Sequence, residues 1–592
     1  MDDTLRANVS KTALANINAW LTEPKYAEYR PQLESLIAAE EWEILEDSFF
    51  KVIEFGTGGI RGTTGVGSNR ISRVTIGEAT QALSEYVLHQ DSEAKKKGIV
   101  IACDTRLSSE ELSRYAAQVC AGNGMKAYLF DSFRSTPELS FAVRYLGASA
   151  GIVISASHNP PADNGFKAYL ADGGQLVPPH DKGVIERTKR VTSIHSMPYD
   201  EAVAKNLIQV VGTEIDEAYI SAVQSEALGD ARDVSIVYSP LHGAGQRNTL
   251  PVLDSAGFTK VATVKSQMTP DGNFPTIENG KPNPEEKAAN DRAVAQMLAD
   301  DADIAITNDP DADRIGVVVR EGDQPMYLSG NQTAVLATEF ALRKLYEKGQ
   351  LTSKHYIAKT IVTTDMMKAV ADKYQVTTYG DMLIGFKYIG ELLLQKESTD
   401  EIFVIGGEES YGLLKGDYAR DKDGAVGALI LSEYAAELKN ENKTLFDRMI
   451  ELYQDYGLFV ERLDTIVCPG AKGFEQMQNI MARLRTDAPR FVAHHQVTAI
   501  SDYSEGIKTV LDNGEKTSLS CPVKGDVIVL EFGDERRRIT VRPSGTEPKL
   551  KLYVQWFDEA QGDALSLRRR YADTNDMLES LSRELEGILL RG

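Results

Sequence analysis

Short apolar runs alternate with longer helical stretches from Gly56 to about residue 450, and they do so in three successive units of similar length. In the first, strand-like runs lie at 98–103, 126–130 and 151–154, with helical stretches at 108–121 and 137–146 between them. The second has runs at 234–238, 260–264 and 303–307, and the third at 355–362, 375–379 and 401–405. Such alternation builds a parallel or mixed α/β sheet with helices on its faces. It also says where chemistry can sit, because in open α/β sheets ligands bind outside the carboxyl ends of strands.

The ends of the chain differ. The first ~50 residues read as helical from apolar spacing alone: Leu14, Ile17 and Leu21 share a face, and Trp42 and Leu45 mark a later helix. Beyond about residue 450, strands at 526–532 and 537–541 and a long charged helix at 563–590 indicate a smaller α+β domain. A chain of 592 residues is too long for one core, and its length suggests about four domains. The expected division is 1–205 with the helical extension, 206–325, 326–450 and 451–592.

A net charge of −22 argues against a general nucleic-acid binder and against an anionic membrane surface. It leaves room for a phosphorylated substrate, since a few local Arg and Lys residues can make a pocket positive. Cys103, Cys120, Cys468 and Cys521 are scattered, without CxxC spacing, and read as reduced thiols rather than a disulfide framework or a zinc site. Met1-Asp2-Asp3 is acidic and opens no signal peptide, and no apolar run approaches the ~20 residues of a membrane span. The expected location is cytoplasmic.

Four loops carry the chemistry. Ile154-Ser155-Ala156-Ser157-His158-Asn159-Pro160 follows the strand at 151–154, which places Ser157 at a strand's carboxyl end. A serine there can be a nucleophile, although a Ser-rich turn before Pro is also ordinary loop chemistry. Thr307-Asn308-Asp309-Pro310-Asp311-Ala312-Asp313-Arg314 follows another apolar strand. Its three alternating carboxylates can converge on one hard divalent cation. An EF-hand is excluded, because its sixth position would be Arg314 and its twelfth Arg320. Three carboxylates leave open coordination positions, which suits Mg²⁺ bridging a phosphoryl oxygen; the alternative is a solvated acidic turn.

Gly406-Gly407-Glu408-Glu409-Ser410-Tyr411-Gly412 offers acidic and hydroxyl groups to sugar hydroxyls, or else is a plain left-handed turn leading into a helix. Lys422, in Arg420-Asp421-Lys422-Asp423-Gly424, is either a surface ion pair or a proton donor. Val541-Arg542-Pro543-Ser544-Gly545-Thr546-Glu547-Pro548 has the parts of an anion site, a guanidinium fork and hydroxyls in a tight loop, though Pro and Gly also punctuate structural turns. The Gly-rich 55–62 segment lacks the Gly-Lys-Ser/Thr of a P-loop. His158 and His242 lack a second His at ligand spacing and read as loop hydrogen-bonding residues.

In this order, from about Phe55 to Tyr553, these segments resemble the α-D-phosphohexomutase superfamily, and within it the phosphoglucomutases. The resemblance implies three similar α/β domains plus a C-terminal α+β domain around a central cleft, each giving one loop. It matches Ser157 to the phosphorylated serine, and Asp309, Asp311 and Asp313 with Ser157 to the Mg²⁺ site. It matches Glu408 and Ser410 to the sugar loop, and Arg542, Ser544, Gly545 and Thr546 to the phosphate loop. Arg61, Arg314 and Lys167 match further active-site positions. Many bacterial members read GEMSGH in the sugar loop, with a His suited to proton transfer; here Tyr411-Gly412 leaves that role vacant. The following R-acid-KDG segment resembles the glucose-preferring branch, which makes Lys422 the acid/base candidate and Lys167 the second. Ser155 and Gly58 stand where Thr and Ser are commoner.

The resemblance implies a phosphoglucomutase reaction on small sugar phosphates, with Mg²⁺ and a glucose 1,6-bisphosphate intermediate. Phosphomannomutase, phosphopentomutase and bisphosphate synthase remain alternatives within the enzymes. A sugar-phosphate-binding protein without catalysis would have no reason to keep Ser157 and all three aspartates together.

Overall fold

The computed structural model describes residues 2–53, 59–468, 473–521, 523–544 and 549–591. The N-terminal helices Asp2–Asn8, Lys11–Thr22, Arg30–Ala38 and Trp42–Phe49 bury their own small core. Ser10 caps the second of them, its hydroxyl accepting from the Ala13 N–H at 3.2 Å. Trp20 stacks on Tyr26 with centroids 4.4 Å apart and meets Phe49 edge-on at 5.5 Å. This helical cap is tied to the first sheet unit by Lys25–Glu78 at 2.8 Å and by the Arg73 N–H donating to the Tyr29 hydroxyl at 3.0 Å.

Three mixed sheets come next, as the alternation predicts. In the first, Ile99–Cys103 lies parallel to Ala127–Phe130 and Ala150–Ile154, and Ile208–Val211 joins parallel to Ala127–Phe130, so this sheet continues past residue 205. In the second, Ile236–Ser239 is parallel to Val261–Thr263 and Ile304–Asn308. In the third, His355–Thr360 is parallel to Thr377–Met382 and Ile402–Glu408. The central strands are buried on both faces, which is why they read as continuous apolar runs. The C-terminal sheet has seven strands, all antiparallel, with Gly473–Thr486 and Ala564–Leu590 packed on it. Leu578, Leu581, Leu585 and Leu589 give the last helix a buried stripe at helical spacing.

Each sheet shares one local device. Ala150–Ile154 returns as the antiparallel Asp163–Leu170, Ile304–Asn308 as Ile315–Glu321, Ile402–Glu408 as Gly412–Lys415, and Asp534–Pro543 as Lys549–Asp558. All four motif loops are therefore connections between adjacent antiparallel strands. The sugar-loop motif, for which a turn leading straight into a helix was one expectation, is a hairpin turn with Tyr411 at φ +65°; its helix, Gly424–Asn440, begins only after Gly412–Lys415. An antiparallel return needs only a short connection, whereas a parallel one needs a crossover.

Among the described residues no helix is long and apolar enough to cross a membrane. All four cysteines are free, three of them buried. Replacing Trp20 with Ala should cost about 3–5 kcal/mol locally. Hydrogen exchange should accelerate across residues 11–49 and stay unchanged in Ile99–Cys103; uniform acceleration would show that the cap and the first sheet unfold together.

Candidate active site

Ser157 sits at φ +52°, buried, in the turn after Ala150–Ile154. A non-glycine residue in that region costs of order 1–3 kcal/mol, so the loop needs a frame. Arg106 supplies it. Its guanidinium donates to the carbonyls of Ser157 (2.6 Å), Asn159 (2.5 Å), Pro160 (2.7 Å) and Asp163 (2.9 Å). Asp104 pairs with Arg106 Nε at 3.2 Å and accepts from the Ser155 hydroxyl at 2.7 Å, and Ser155 Oγ in turn accepts from the Ser157 N–H at 2.8 Å. The Ser157 hydroxyl donates to Asp309 Oδ2 at 2.6 Å and lies 3.0 Å from His158 Nδ1.

Asp309 thus belongs to the same site as Ser157, from a different sheet. Ligand oxygens of Asp309, Asp311 and Asp313 lie within 4.8 Å of one another, all buried. The turn closes with Ala312 at φ +52° and its N–H on the Asp309 carbonyl at 2.9 Å. Two ammonium groups reach the cluster. Lys167 Nζ is 2.6 Å from Asp311 and 3.2 Å from Asp313, and Lys422 Nζ is 2.9 Å from Asp313. Thr136 donates its hydroxyl to Asp311 at 2.6 Å.

Burial and the carboxylates of Asp313 and Asp311 push the Asp309 pKa well above the usual range. Against burial, Lys167 holds Asp311 low, and Lys422, Lys167 and Arg314 hold Asp313 low. Against burial too, Asp311 and Asp313 keep Lys167 charged, and Asp313, Asp421 and Glu408 keep Lys422 charged. Oδ1 of Asp311 and of Asp313 is buried without a hydrogen-bond partner. Orphaned buried carboxylate oxygens are costly, and an all-oxygen set at this spacing fits a hard divalent cation.

The 420–423 segment, read from sequence as a surface pair or a proton donor, is not at the surface. The Arg420 N–H donates to Ser140 Oγ at 2.8 Å, Tyr169 donates to Asp421 at 2.8 Å, and Tyr219 and Tyr418 donate to Asp423 at 2.7 and 2.5 Å. Gly424 lies so close to the Asp loop that a Cβ there would be 2.3 Å from Asn308 Nδ2. Gly412 has a matching role, since a Cβ would be 2.1 Å from Cδ of Lys422. The hairpin that carries Glu408 and Ser410 therefore leaves room for the lysine stem where a larger side chain would block it.

Glu408, at the end of its strand, is buried, and burial lifts its pKa to about 8. Ser410 is half-buried. Arg314 pairs with Glu285 at 2.5 Å, and Arg61 is half-buried on Ile60–Thr63. Arg542 closes the strand Asp534–Pro543, with Ser544 next to it; Gly545 and Thr546 lie outside the described residues. His242 bridges the Thr269 carbonyl and the Thr276 hydroxyl at 2.8 and 2.9 Å, a loop hydrogen-bonding role as expected. His158 has such a role too, its Nδ1 3.0 Å from the Ser157 hydroxyl, and burial and the cations Arg314 and Arg61 push its pKa well down. Asp104, Arg106, Thr136 and Tyr169 escaped the sequence reading. Asp104 and Arg106 had a usable signal, a charged Asp-x-Arg directly after a fully buried strand.

Four family models match the chain in order. They are phosphoglucomutase/phosphomannomutase alpha/beta/alpha domain I over residues 52–195, domain II over 217–322, domain III over 329–456 and the C-terminal domain over 507–569. The chain belongs to the phosphoglucomutase/phosphomannomutase family. A relative named phosphoglucomutase from Staphylococcus epidermidis is 34% identical over 508 residues, covering 85% of this chain and 90% of the relative. One of the same name from Staphylococcus haemolyticus is 34% identical over 515 residues, covering 86% and 91%. Among solved structures, the Paramecium phosphoprotein parafusin superposes with a TM-score of 0.61 at 17% identity, over 90% of this chain and 98% of that one. A phosphoglucomutase/phosphomannomutase family protein from Burkholderia thailandensis gives 0.61 at 19%, over 90% and 97%. These two establish the fold, with three α/β domains and a C-terminal domain.

For this phosphoglucomutase/phosphomannomutase family member, Gly412→Ala should expel Lys422 from Asp313 without unfolding the chain. A charged hydrogen bond contributes about 1.5–3 kcal/mol, so kcat for sugar-phosphate isomerisation should fall roughly 10- to 100-fold. Unchanged kcat with an unchanged melting temperature would show that the lysine contact does not matter to the reaction.

Proposed function

We propose that this chain is a phosphoglucomutase that interconverts α-D-glucose 1-phosphate and glucose 6-phosphate through phosphorylated Ser157. The observation that carries the reading is the buried Ser157 hydroxyl, 2.6 Å from Asp309, within a cluster of three aspartates and two lysines contributed by three sheet units. Asp309, Asp311 and Asp313, with an oxygen on Ser157, would hold Mg²⁺, which when bound supplies positive charge to the transferring phosphoryl group.

The steps follow from the residues. In the first half, the free hydroxyl of the sugar phosphate attacks the phosphorus on Ser157. The new O–P bond forms as the bond to Ser157 Oγ breaks, the sugar hydroxyl gives up its proton, and the departing Oγ takes one up. The product is glucose 1,6-bisphosphate. After this intermediate turns, Ser157 Oγ attacks its other phosphorus; the new Oγ–P bond forms as the bond to that sugar oxygen breaks, the serine proton is given up and the sugar oxygen takes one, and the isomeric monophosphate leaves with the enzyme phosphorylated as it began. Splitting the transfer in two through a covalent carrier makes both halves alike.

Lys422 is the first candidate for handling the proton and Lys167 the second; Lys167 is buried and Lys422 half-buried, both poised against the aspartates. Glu408, mostly protonated at neutral pH, can both donate and accept at sugar hydroxyls, with Ser410 beside it. Arg542, Ser544 and, in the resemblance, Gly545 and Thr546 take the non-reacting phosphate in either orientation of the sugar. Arg61 and Arg314 add positive charge near Ser157. Burial of the serine excludes water, which would otherwise hydrolyse the phosphoserine.

The test is a panel of glucose, mannose and ribose 1-phosphates with Mg²⁺ and glucose 1,6-bisphosphate. Glucose 1-phosphate should give the highest kcat/KM, and preference for mannose or ribose would replace the glucose assignment. Ser157→Ala should lower turnover by roughly 10³-fold or more, and retained turnover would sink the phosphoserine mechanism. Chelating divalent metal should abolish turnover and its return should restore it; turnover that survives chelation would remove the metal from the reading.

A further inference from the structure

A buried ammonium group without a hydrogen bond lies where the first, third and C-terminal units meet. Lys387 is the second residue of the helix Phe386–Lys396, and its side chain is only 5% exposed. Its one carboxylate contact is Asp181, in the first turn of His180–Thr188, at 3.9 Å. That is an ion pair but too long for a hydrogen bond. Among the described residues Lys387 Nζ has no hydrogen-bonding partner, and a largely desolvated ammonium held by one long ion pair is poorly compensated.

The charge next acting on Lys387 has the wrong sign. Burial lowers the Lys387 pKa, Asp181 only partly offsets this, and the Arg542 guanidinium lowers it again. Tyr388, the neighbour of Lys387, feels the same Asp181 and Arg542, and it packs in one apolar cluster with Val177 and Tyr553. Glu391, one turn along the helix, is only half-buried and lends weaker opposite charge. Lys387 of the third domain and Arg542 of the C-terminal domain thus act on one junction, where Tyr388 packs with Val177 and Tyr553, and an anion between them would offset their like charge.

We propose that Lys387 is a second cation of the phosphate subsite, binding the non-reacting phosphate of the sugar phosphate together with Arg542. Asp181 is then a placeholder that the phosphate displaces. Bound phosphate then bridges a residue of the third domain and one of the C-terminal domain. The identity of the phosphate as part of a hexose substrate rests on the mutase reading; the anion site itself does not.

The experiment uses the full-length protein, with inorganic phosphate as the probe and glucose 1-phosphate as substrate. Lys387→Met should weaken phosphate binding, read by calorimetry and by the phosphate-induced rise in melting temperature, by roughly tenfold or more. KM for glucose 1-phosphate should rise by a similar factor with kcat changed less than about threefold, since the contact is equal in ground and transition states. Without phosphate, the melting temperature should be equal to or above that of the wild type, because a buried charge is gone. Asp181→Asn should leave phosphate binding unchanged or tighter, and it tests the same idea should Lys387→Met fail to fold. Wild-type phosphate affinity and KM in Lys387→Met, or weakened binding in Asp181→Asn, would overturn the proposal. Phosphate binding that depends on Lys387 in a protein without mutase turnover would refute the mutase reading and leave the anion site standing.

Discussion

The structure depends on a buried cluster of charge that no single domain could hold. Three carboxylates of one short turn and two ammonium groups from two other units meet out of water. Desolvating even one ion costs several kcal/mol, and burial, together with the like charges of Asp313 and Asp311, pushes the Asp309 pKa well up. The cluster is tolerable only when the units that carry the lysines are docked on the unit that carries the aspartates. Lys167 comes from Asp163–Leu170 and Lys422 from the segment ahead of Gly424–Asn440, so domain arrangement and site assembly are one event. The two unpartnered carboxylate oxygens are what remains after protein groups have done what they can, which is the opening a divalent cation fits.

That event demands stiff loops, and the antiparallel return provides them. Three of the motif loops sit between strands paired directly beside them, with Ile154 opposite Phe166, Asn308 opposite Ile315 and Glu408 opposite Gly412. A loop clamped at both ends can hold strained residues such as Ser157, Ala312 and Tyr411 at positive φ. The same geometry explains why a returning strand supplies a site residue of its own: Lys167 lies on the strand that follows the serine loop.

Much of this was legible in the sequence, and the reason is local. Buried parallel strands must be continuously apolar, so Ile99–Cys103 and Ala150–Ile154 announce themselves within a residue or two, and the residues just beyond them must form a loop at a carboxyl end. Ser157, Asp309, Asp311, Asp313 and Lys167 converge because that rule brings their loops or adjoining strands to the same side of their sheets. The long-range contacts stayed hidden. Nothing near Arg106 in the chain says that it gathers four carbonyls from residues 157–163, and nothing near Tyr169 points to Asp421. One of the two readings of the 406–412 segment, a left-handed turn followed by a helix, has its turn at Tyr411 but leaves out the return strand, because Gly412–Lys415 is only four residues long. Lys422 looked equally like a surface lysine, since the room for its stem depends on Gly412 and its ion-pair partner Asp313 lies in another sheet unit.

Overall charge and local charge act here on different scales. A chain of −22 should repel a sugar phosphate at long range. At physiological ionic strength, however, exposed charges are screened beyond about 8 Å, and the acidic surplus is mostly exposed. The groups that face the cleft loops are unlike that surface: Arg61, Arg314, Lys387 and Arg542 are buried or half-buried, where screening is weak and each cation acts at short range. Even the acidic residues in the site serve this end, because Asp309, Asp311 and Asp313 are matched by Lys167, Lys422 and Arg314 and so do not present their full charge to an incoming anion. The chain can thus remain strongly acidic as a whole while the residues proposed to meet a phosphate, Arg61, Arg314, Lys387 and Arg542, are basic, and the sign of the net charge does not determine the sign of the ligand's charge.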